Sequence, residues 1–223
     1  MTVQSVSPQT PAPSAPVPAR RRTGPRKETL ARHEEILKAA TEVFAAKGFR
    51  GGTLADVAER VGMTHAGVLH HFGSKENLLR EVLTYRDRLD DAVTLDVHGL
   101  AFFRHLIATA RHNMARPGIV QTYVVQSAEA VTDDNPGYPF FRDRFASLRA
   151  LVVDELRTIQ NADAPLPQAD LVDAASSIIA LMDGLQVQWL IDPDCIDLGD
   201  ATAFAIEAIV VRVAAGADAA SVL

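Results

Sequence analysis

One cysteine, Cys195, stands among 223 residues. That excludes an intramolecular disulfide and any zinc cluster built on cysteines. Its setting, IDPDCIDLGD, is acidic and disfavours a thiolate nucleophile. Other signatures of catalysis are missing too. There is no glycine-rich phosphate loop, no nucleophile elbow and no paired His-Glu motif, so no enzyme activity and no cofactor are implied. Strand-type alternation and internal repeats are absent. No apolar run reads as long enough to cross a bilayer. The N-terminus has Pro, Ser and Ala but not the apolar core of a signal peptide, and a cytoplasmic protein is expected.

What is present is a sizeable apolar fraction, 48%, and an uneven charge. The net charge of −6 looks wrong for a nucleic-acid partner until the chain is divided. Residues 1–75 hold 11 Lys and Arg against 6 Asp and Glu, whereas residues 76–223 hold 11 against 22. A basic first third on an acidic remainder suits a protein that meets phosphates with one end only.

Residues 1–27 form a separate regime. Six prolines lie between Pro8 and Pro25 with Ser, Thr and Ala between them, a composition that predicts a disordered or polyproline-like arm. The arm ends in Arg20, Arg21, Arg22, Arg26 and Lys27, either a solubilising tail or a contact to phosphates and the minor groove.

The most informative stretch is residues 53–75, TLADVAERVGMTHAGVLHHFGSK. Thr53 can cap a short helix with Asp56 three residues on, and Leu54, Val57, Ala58 and Val61 then share one face. Gly62 suits the sharp turn that follows. Thr64 can cap a second helix whose inner face carries Val68 and Phe72. A small Ala58 lets the two helices approach, Gly62 makes the turn and Val68 plugs the corner. This is the pattern of a helix-turn-helix, whose second helix enters the major groove of DNA.

A helix over 28–48, with Leu30, Ile36, Leu37, Ala40, Val43 and Phe44 on its apolar stripe, completes a three-helix bundle with 54–61 and 65–71. Ser74 caps a fourth helix over about 75–95, with Leu78, Leu79, Val82 and Leu83 buried. The remainder also reads as helix, over 99–115, 119–131, 138–160, 168–190 and 200–215. His98, His105 and His112 recur every seven residues in this region. Residues so spaced lie about 10 Å apart along a helix, too far to share one metal ion. The last two helices are apolar on more than one face and need cover on both sides. A second copy of the chain is the simplest source, pairing two helices from each subunit into a four-helix bundle.

The chain at this point resembles the tetracycline-repressor (TetR) family of bacterial transcription regulators. The resemblance is carried in order by ILKAATEVFAAKGFRGGTLADVAERVGMTHAGVLHHFGSKENLL, VVQSAEAVTDDNPGYPFFRDRFASLRALV and ALMDGLQVQWLIDP. It implies an all-α fold, with a homeodomain-like helix-turn-helix domain over 28–74 and a ligand-binding and dimerisation domain over 75–223. It also implies a homodimer on double-stranded operator DNA, released by a small-molecule effector. One position departs: the family has a tyrosine that touches a phosphate where this chain has Leu69, which cannot donate a hydrogen bond. His70 and His71 are the neighbouring substitutes, and His65 stands where lysine is frequent.

The candidate DNA contacts are therefore His65, Ala66 and Gly67 at the start of the recognition helix, with Thr53, Thr64, His70 and Lys75 as the phosphate set. The two threonines are equally explained by capping alone. For the effector, the helical domain offers Phe103, Ile107, Tyr123, Gln126, Phe141, Met182, Asp183, Gln186 and Trp189, an apolar and aromatic set with a few polar groups. Each is also an ordinary core residue. Gly184 weakens its helix by roughly 1 kcal/mol relative to Ala, so a close helix–helix contact is its expected use. Two readings compete with an effector-released repressor: an activator of the same fold, and a helical ligand-binding or enzyme module whose N-terminal bundle is only structural.

Overall fold

The computed structural model describes residues 24–91, 97–132 and 134–216. Nine helices lie within them: α1 (Gly24–Gly51), α2 (Leu54–Arg60), α3 (His65–Phe72), α4 (Lys75–Asp91), α5 (Leu100–Asn113), α6 (Pro117–Glu129), α7 (Tyr138–Ile159), α8 (Gln168–Ile191) and α9 (Leu198–Ala215). Among the described residues there is no strand, and the fold is all-α.

The caps explain most of the boundaries. Thr53 and Asp56 form a reciprocal capping box at α2, with Asp56 N donating to Thr53 Oγ1 at 3.1 Å and Thr53 N donating to Asp56 Oδ2 at 2.8 Å. Ser74 Oγ accepts from Asn77 N at 3.1 Å to start α4, and Asp197 accepts from Asp200 N at 2.8 Å to start α9. The backbone N of Gly99, just ahead of α5, donates to Glu155 on α7 at 2.6 Å, so a neighbouring helix secures this start.

The start of α1 differs from expectation. The helix begins at Gly24 rather than 28, with Pro25 in its first turn, where a missing N–H costs nothing. Its regular run stops at Gly48, where the expected helix over 28–48 ends: Gly48 sits at φ 67°, ψ 177°, a conformation open to glycine. The break lets Phe49 turn back onto Phe44, ring centroids 6.0 Å apart. The arm residues Arg20, Arg21 and Arg22 lie outside the described residues, and so do 92–96, where α4 was expected to continue.

The core falls into three clusters. The first joins α1 to α4 through Phe44, Val57, Val68, Phe72 and Leu79, and reaches across to Tyr123 on α6 and Phe141 on α7. It thus crosses the domain boundary expected at 74/75. The second holds α5, α7, α8 and α9 together around Phe102, Phe103, Leu156, Ile178 and Ile206. The third is smaller and gathers Ala110, Val120, Trp189 and Leu198.

One expectation is overturned. By length and composition α8 is apolar enough to cross a membrane, yet its inner face packs against α7 and α9. Only 28% of its most apolar 18-residue stretch is buried in the single chain. Gly184 lies on the outer face of α8. It is exposed, and a Cβ there would meet nothing within 4 Å in this chain, so no helix of the same chain makes close contact with it.

Candidate nucleic-acid interface and internal cavity

The turn between α2 and α3 is closed by its own backbone. Met63 N donates to Ala58 O at 2.8 Å, and Gly62 takes φ 64°. Thr64 Oγ1 accepts from Gly67 N at 3.1 Å and so caps α3 while keeping its own proton to give. Val68 and Phe72 anchor α3 inward, and Phe72 stacks on His33 of α1 at 4.5 Å. With those two residues buried, the opposite face of α3 is left to solvent. His65, Ala66, Leu69 and His70 are exposed there, and Gly67 and His71 are half-buried. Short side chains at 66 and 67 leave the helix backbone open to a groove. A Cβ at Gly67 would press on Met63 Cε at 3.0 Å.

The phosphate candidates surround this face. The Thr53 hydroxyl gives its proton to Asp56 Oδ2 at 2.7 Å. Asp56 in turn pairs with Lys47 at 2.7 Å, and Lys47 with the Thr53 hydroxyl and amide holds its carboxyl down to about 2. Lys75 is half-buried, its ammonium 4.4 Å above the Phe49 ring and 3.5 Å from the Arg50 carbonyl oxygen.

The helix-turn-helix is tied to the rest of the chain through α6. Three residues on one face of α6 hold the second half of α1. The Thr122 hydroxyl donates to Thr41 O at 3.0 Å, Gln126 Nε2 donates to Phe44 O at 3.2 Å, and Glu129 accepts from Phe49 N at 2.7 Å.

A cavity of about 150 Å³ lies among α4, α5, α6, α7 and α8. Its apolar wall includes Phe102, Leu106, Leu148, Val152, Ile178 and Met182. Its charged wall is Arg86 on α4, Arg144 on α7 and Asp183 on α8, gathered around Tyr123. The guanidinium of Arg86 lies 4.2 Å from the Tyr123 ring centroid and that of Arg144 5.5 Å. Outside the cavity, Asp87 pairs with both, at 3.2 Å to Arg86 and 2.6 Å to Arg144. Burial pushes the Asp183 carboxyl up to about 6, against the opposing pull of Arg86, Arg144 and Tyr123. Burial and the Asp183 charge likewise raise Tyr123. For Arg144, burial works against the charge, but Asp87 and Tyr123 outweigh it and its pKa lies above the ordinary value.

Of the nine effector candidates, Tyr123, Met182, Asp183 and Gln186 line this cavity. The other five lie elsewhere. Phe103 and Ile107 sit in the second core cluster, Phe141 in the first and Trp189 in the third, while Gln126 bonds to α1. Arg86, Arg144 and Asn113 line the cavity without having been anticipated. A signal existed for the two arginines. Arg86 continues the stripe of Leu79, Val82 and Leu83, and Arg144 lies between Phe141, Phe145 and Leu148. An arginine at a buried register needs partners. Of the three periodic histidines, His105 lines the cavity, His98 bonds Glu155 at 2.9 Å and His112 is exposed.

An exposed, small-residue recognition helix on a capped three-helix unit, joined to a cavity-bearing helical body, defines a helix-turn-helix protein. Residues 36–82 match the family model described as bacterial regulatory proteins, tetR family, and residues 108–213 match the BetI-type transcriptional repressor, C-terminal. The chain belongs to the TetR family and is a DNA-binding transcriptional regulator, not an enzyme. It is 28% identical over 173 residues to the HTH-type transcriptional repressor KstR2 of Mycolicibacterium smegmatis, covering 73% of this chain and 80% of that protein. With KstR2 of Rhodococcus jostii it shares 29% identity over 119 residues, 53% of this chain and about half, 52%, of that protein. Among solved structures, a TetR transcriptional regulator from Chloroflexus aurantiacus superposes with a TM-score of 0.67 at 21% identity, covering 85% of this chain and 98% of that one. A transcriptional regulator from Rhodococcus sp. RHA1 gives 0.66 at 21%, covering 85% and 99%. At these identities the two structures bear on the fold alone.

Proposed function

We propose that this chain is a homodimeric, cytoplasmic repressor that leaves a palindromic operator when a small molecule fills the cavity among α4 to α8. In this reading residues 28–74 bind DNA, 75–223 bind the effector and dimerise, and the arm carrying Arg20, Arg21 and Arg22 adds phosphate contacts. His65, Ala66 and Gly67 face base edges. Thr64, His70 and Lys75 approach phosphates with His71 beside them, and Leu69 meets the groove by apolar contact alone. At Thr53 the backbone turn contributes more than the hydroxyl, whose proton is held by Asp56. Repression rather than activation is supported by the BetI-type repressor match and by the repressors among its relatives.

One observation carries the effector reading: Tyr123 lines the cavity, while its helix neighbours Thr122 and Gln126 bond the backbone of α1. A ligand that displaces Tyr123 therefore moves the helix that holds the reading head. It acts by binding the released geometry more tightly than the DNA-bound one.

The dimer reading is supported by the outer faces of α8 and α9. On α8 the exposed stripe Ser177, Ala180, Gly184, Val187 and Ile191 repeats at helical spacing, and Ile191 is 79% exposed. On α9 Phe204 is 80% exposed with Ala208 and Val211 following. The small residues on α8, Gly184 at their centre, suit close approach of a partner helix. The test is a gel shift on the DNA upstream of the protein's own gene, run alongside light scattering. Specific retardation by a dimer supports the reading. A folded dimer that prefers no site at any salt concentration overturns it.

A further inference from the structure

The charges around the cavity balance. Arg86 and Arg144 bring two positive charges, and Asp183 on the wall and Asp87 behind it bring two negative ones. Asp87 pairs with both guanidinium groups, and both also act on Asp183. His105, on the same wall, shares a hydrogen bond with Thr109 at 3.5 Å. An ion of either sign would enter without a counter-charge to meet it and would lose its hydration. What the wall lacks is partners for two neutral amides. Asn113 on α5 and Gln186 on α8 both line the cavity, and they are only 1% and 4% exposed. Asn113 Oδ1 accepts from Arg116 at 2.9 Å, which leaves Nδ2 as a donor, and that Nδ2 has no partner among the described residues. Gln186 Oε1 is a buried acceptor that also has none among them. Buried polar groups without partners are costly, and a ligand able to pair them removes that cost.

We propose that the cavity takes an uncharged single-ring compound carrying a primary carboxamide, a group that accepts one hydrogen bond and donates another. The proposal rests on the effector reading above and names its ligand class. The size follows from the volume, since a cavity of about 150 Å³ accommodates a single aromatic ring. The ring fills the space between Phe102, Leu148, Ile178 and Met182. The carboxamide oxygen accepts from Asn113 Nδ2, and its N–H donates to Gln186 Oε1. These two protein atoms do not bond each other, so they stand apart. A carboxamide suits that separation because its acceptor and donor are different atoms. Having no charge, it leaves the pairing of Arg86 and Arg144 with the two aspartates undisturbed.

The test uses the full-length protein at pH 7.5 and four probes of one shape and size: benzamide, acetophenone, benzoate and benzamidine. Benzamide accepts and donates, acetophenone only accepts, and the other two carry charges of opposite sign. Binding is read by calorimetry and operator occupancy by fluorescence anisotropy. The expected order is benzamide, then acetophenone, with both ions weakest and benzamide ahead of either ion by on the order of tenfold. Gln186→Leu erases the advantage of benzamide over acetophenone. Asp183→Asn, which takes one negative charge from the wall, strengthens benzoate binding and leaves that of benzamide unchanged. The wild-type ranking needs no variant, so a variant that fails to fold leaves the test intact. Any of the other three probes binding as tightly as benzamide overturns the proposal, and so does the absence of benzamide binding at millimolar concentration. A folded Gln186→Leu protein that keeps the preference for benzamide overturns it too. Benzamide binding that leaves operator occupancy unchanged upholds the ligand class and overturns the effector reading. Operator release by either ion in preference to benzamide does the reverse.

Discussion

Glu129 on α6 accepts a hydrogen bond from the backbone N of Phe49 at 2.7 Å, immediately beyond the left-handed Gly48 that breaks α1. The carboxylate occupies the space where a side chain at Gly48 would stand. The break in α1 and the grip of α6 are therefore one device. Gly48→Ala forces both an unfavourable backbone angle and a displaced carboxylate, and is expected to cost about 1–3 kcal/mol of stability in denaturant unfolding.

Gln126 and Glu129 touch α1 and do not line the cavity. A Gln126→Leu, Glu129→Ala double variant is expected to keep its effector affinity while the loss of DNA affinity on effector binding shrinks by roughly three- to tenfold. Anisotropy titrations with and without effector check this. Weakened effector binding with unchanged coupling would contradict it.

Asp56 gives a prediction about pH. Its carboxyl is held at about 2 by Lys47 and Thr53, below the ordinary 3.8. A lowered folded-state value means its contribution is complete above about pH 4 and disappears as pH falls through about 2. Asp56→Ala should lower the melting temperature at pH 7, and the gap to wild type should close on acidification. Thr53→Ala, which removes the cap itself, should cost about 1 kcal/mol.

Asp183 behaves in the opposite sense. Burial raises its carboxyl from 3.8 to about 6, so the folded state favours the neutral form. Stability from this group is complete below about pH 4, falls as pH rises towards 6 and carries its full penalty above that. Asp183→Asn is expected to stabilise the unliganded protein at pH 7.5 by about 1–2 kcal/mol, reduced from the full shift because the group is partly open to solvent, with no gain at pH 4. Thermal unfolding at the two pH values decides it.

The helix-turn-helix was legible because each of its signals is local. Thr53, Asp56, Gly62, Thr64 and Ser74 act within four residues of themselves, and the structure realises each as read. The stop at Gly48 was legible too, but not the contact that holds it, since Glu129 lies about 80 residues away. The cavity was legible only in part. Met182, Asp183 and Gln186 share one face of one helix, and periodicity brings them together. Phe103 and Phe102 are both apolar neighbours on α5, and only the packing of α7 and α8 decides that Phe102 lines the cavity while Phe103 does not. The charged wall draws one residue from each of three helices around Tyr123 on a fourth, a convergence no single segment encodes.

The direct test of the account is the binding of the full-length protein to duplex DNA from its own upstream region, followed by anisotropy at several salt concentrations. Two chains per duplex, tight binding to one palindrome over a scrambled control, and a salt slope that falls by about 1 per subunit in Lys75→Ala are the predicted results. His65→Ala should cost about 1 kcal/mol and relax the preference at one base pair of each half-site. A folded dimer that binds operator and scrambled duplex equally at every salt concentration would contradict the account.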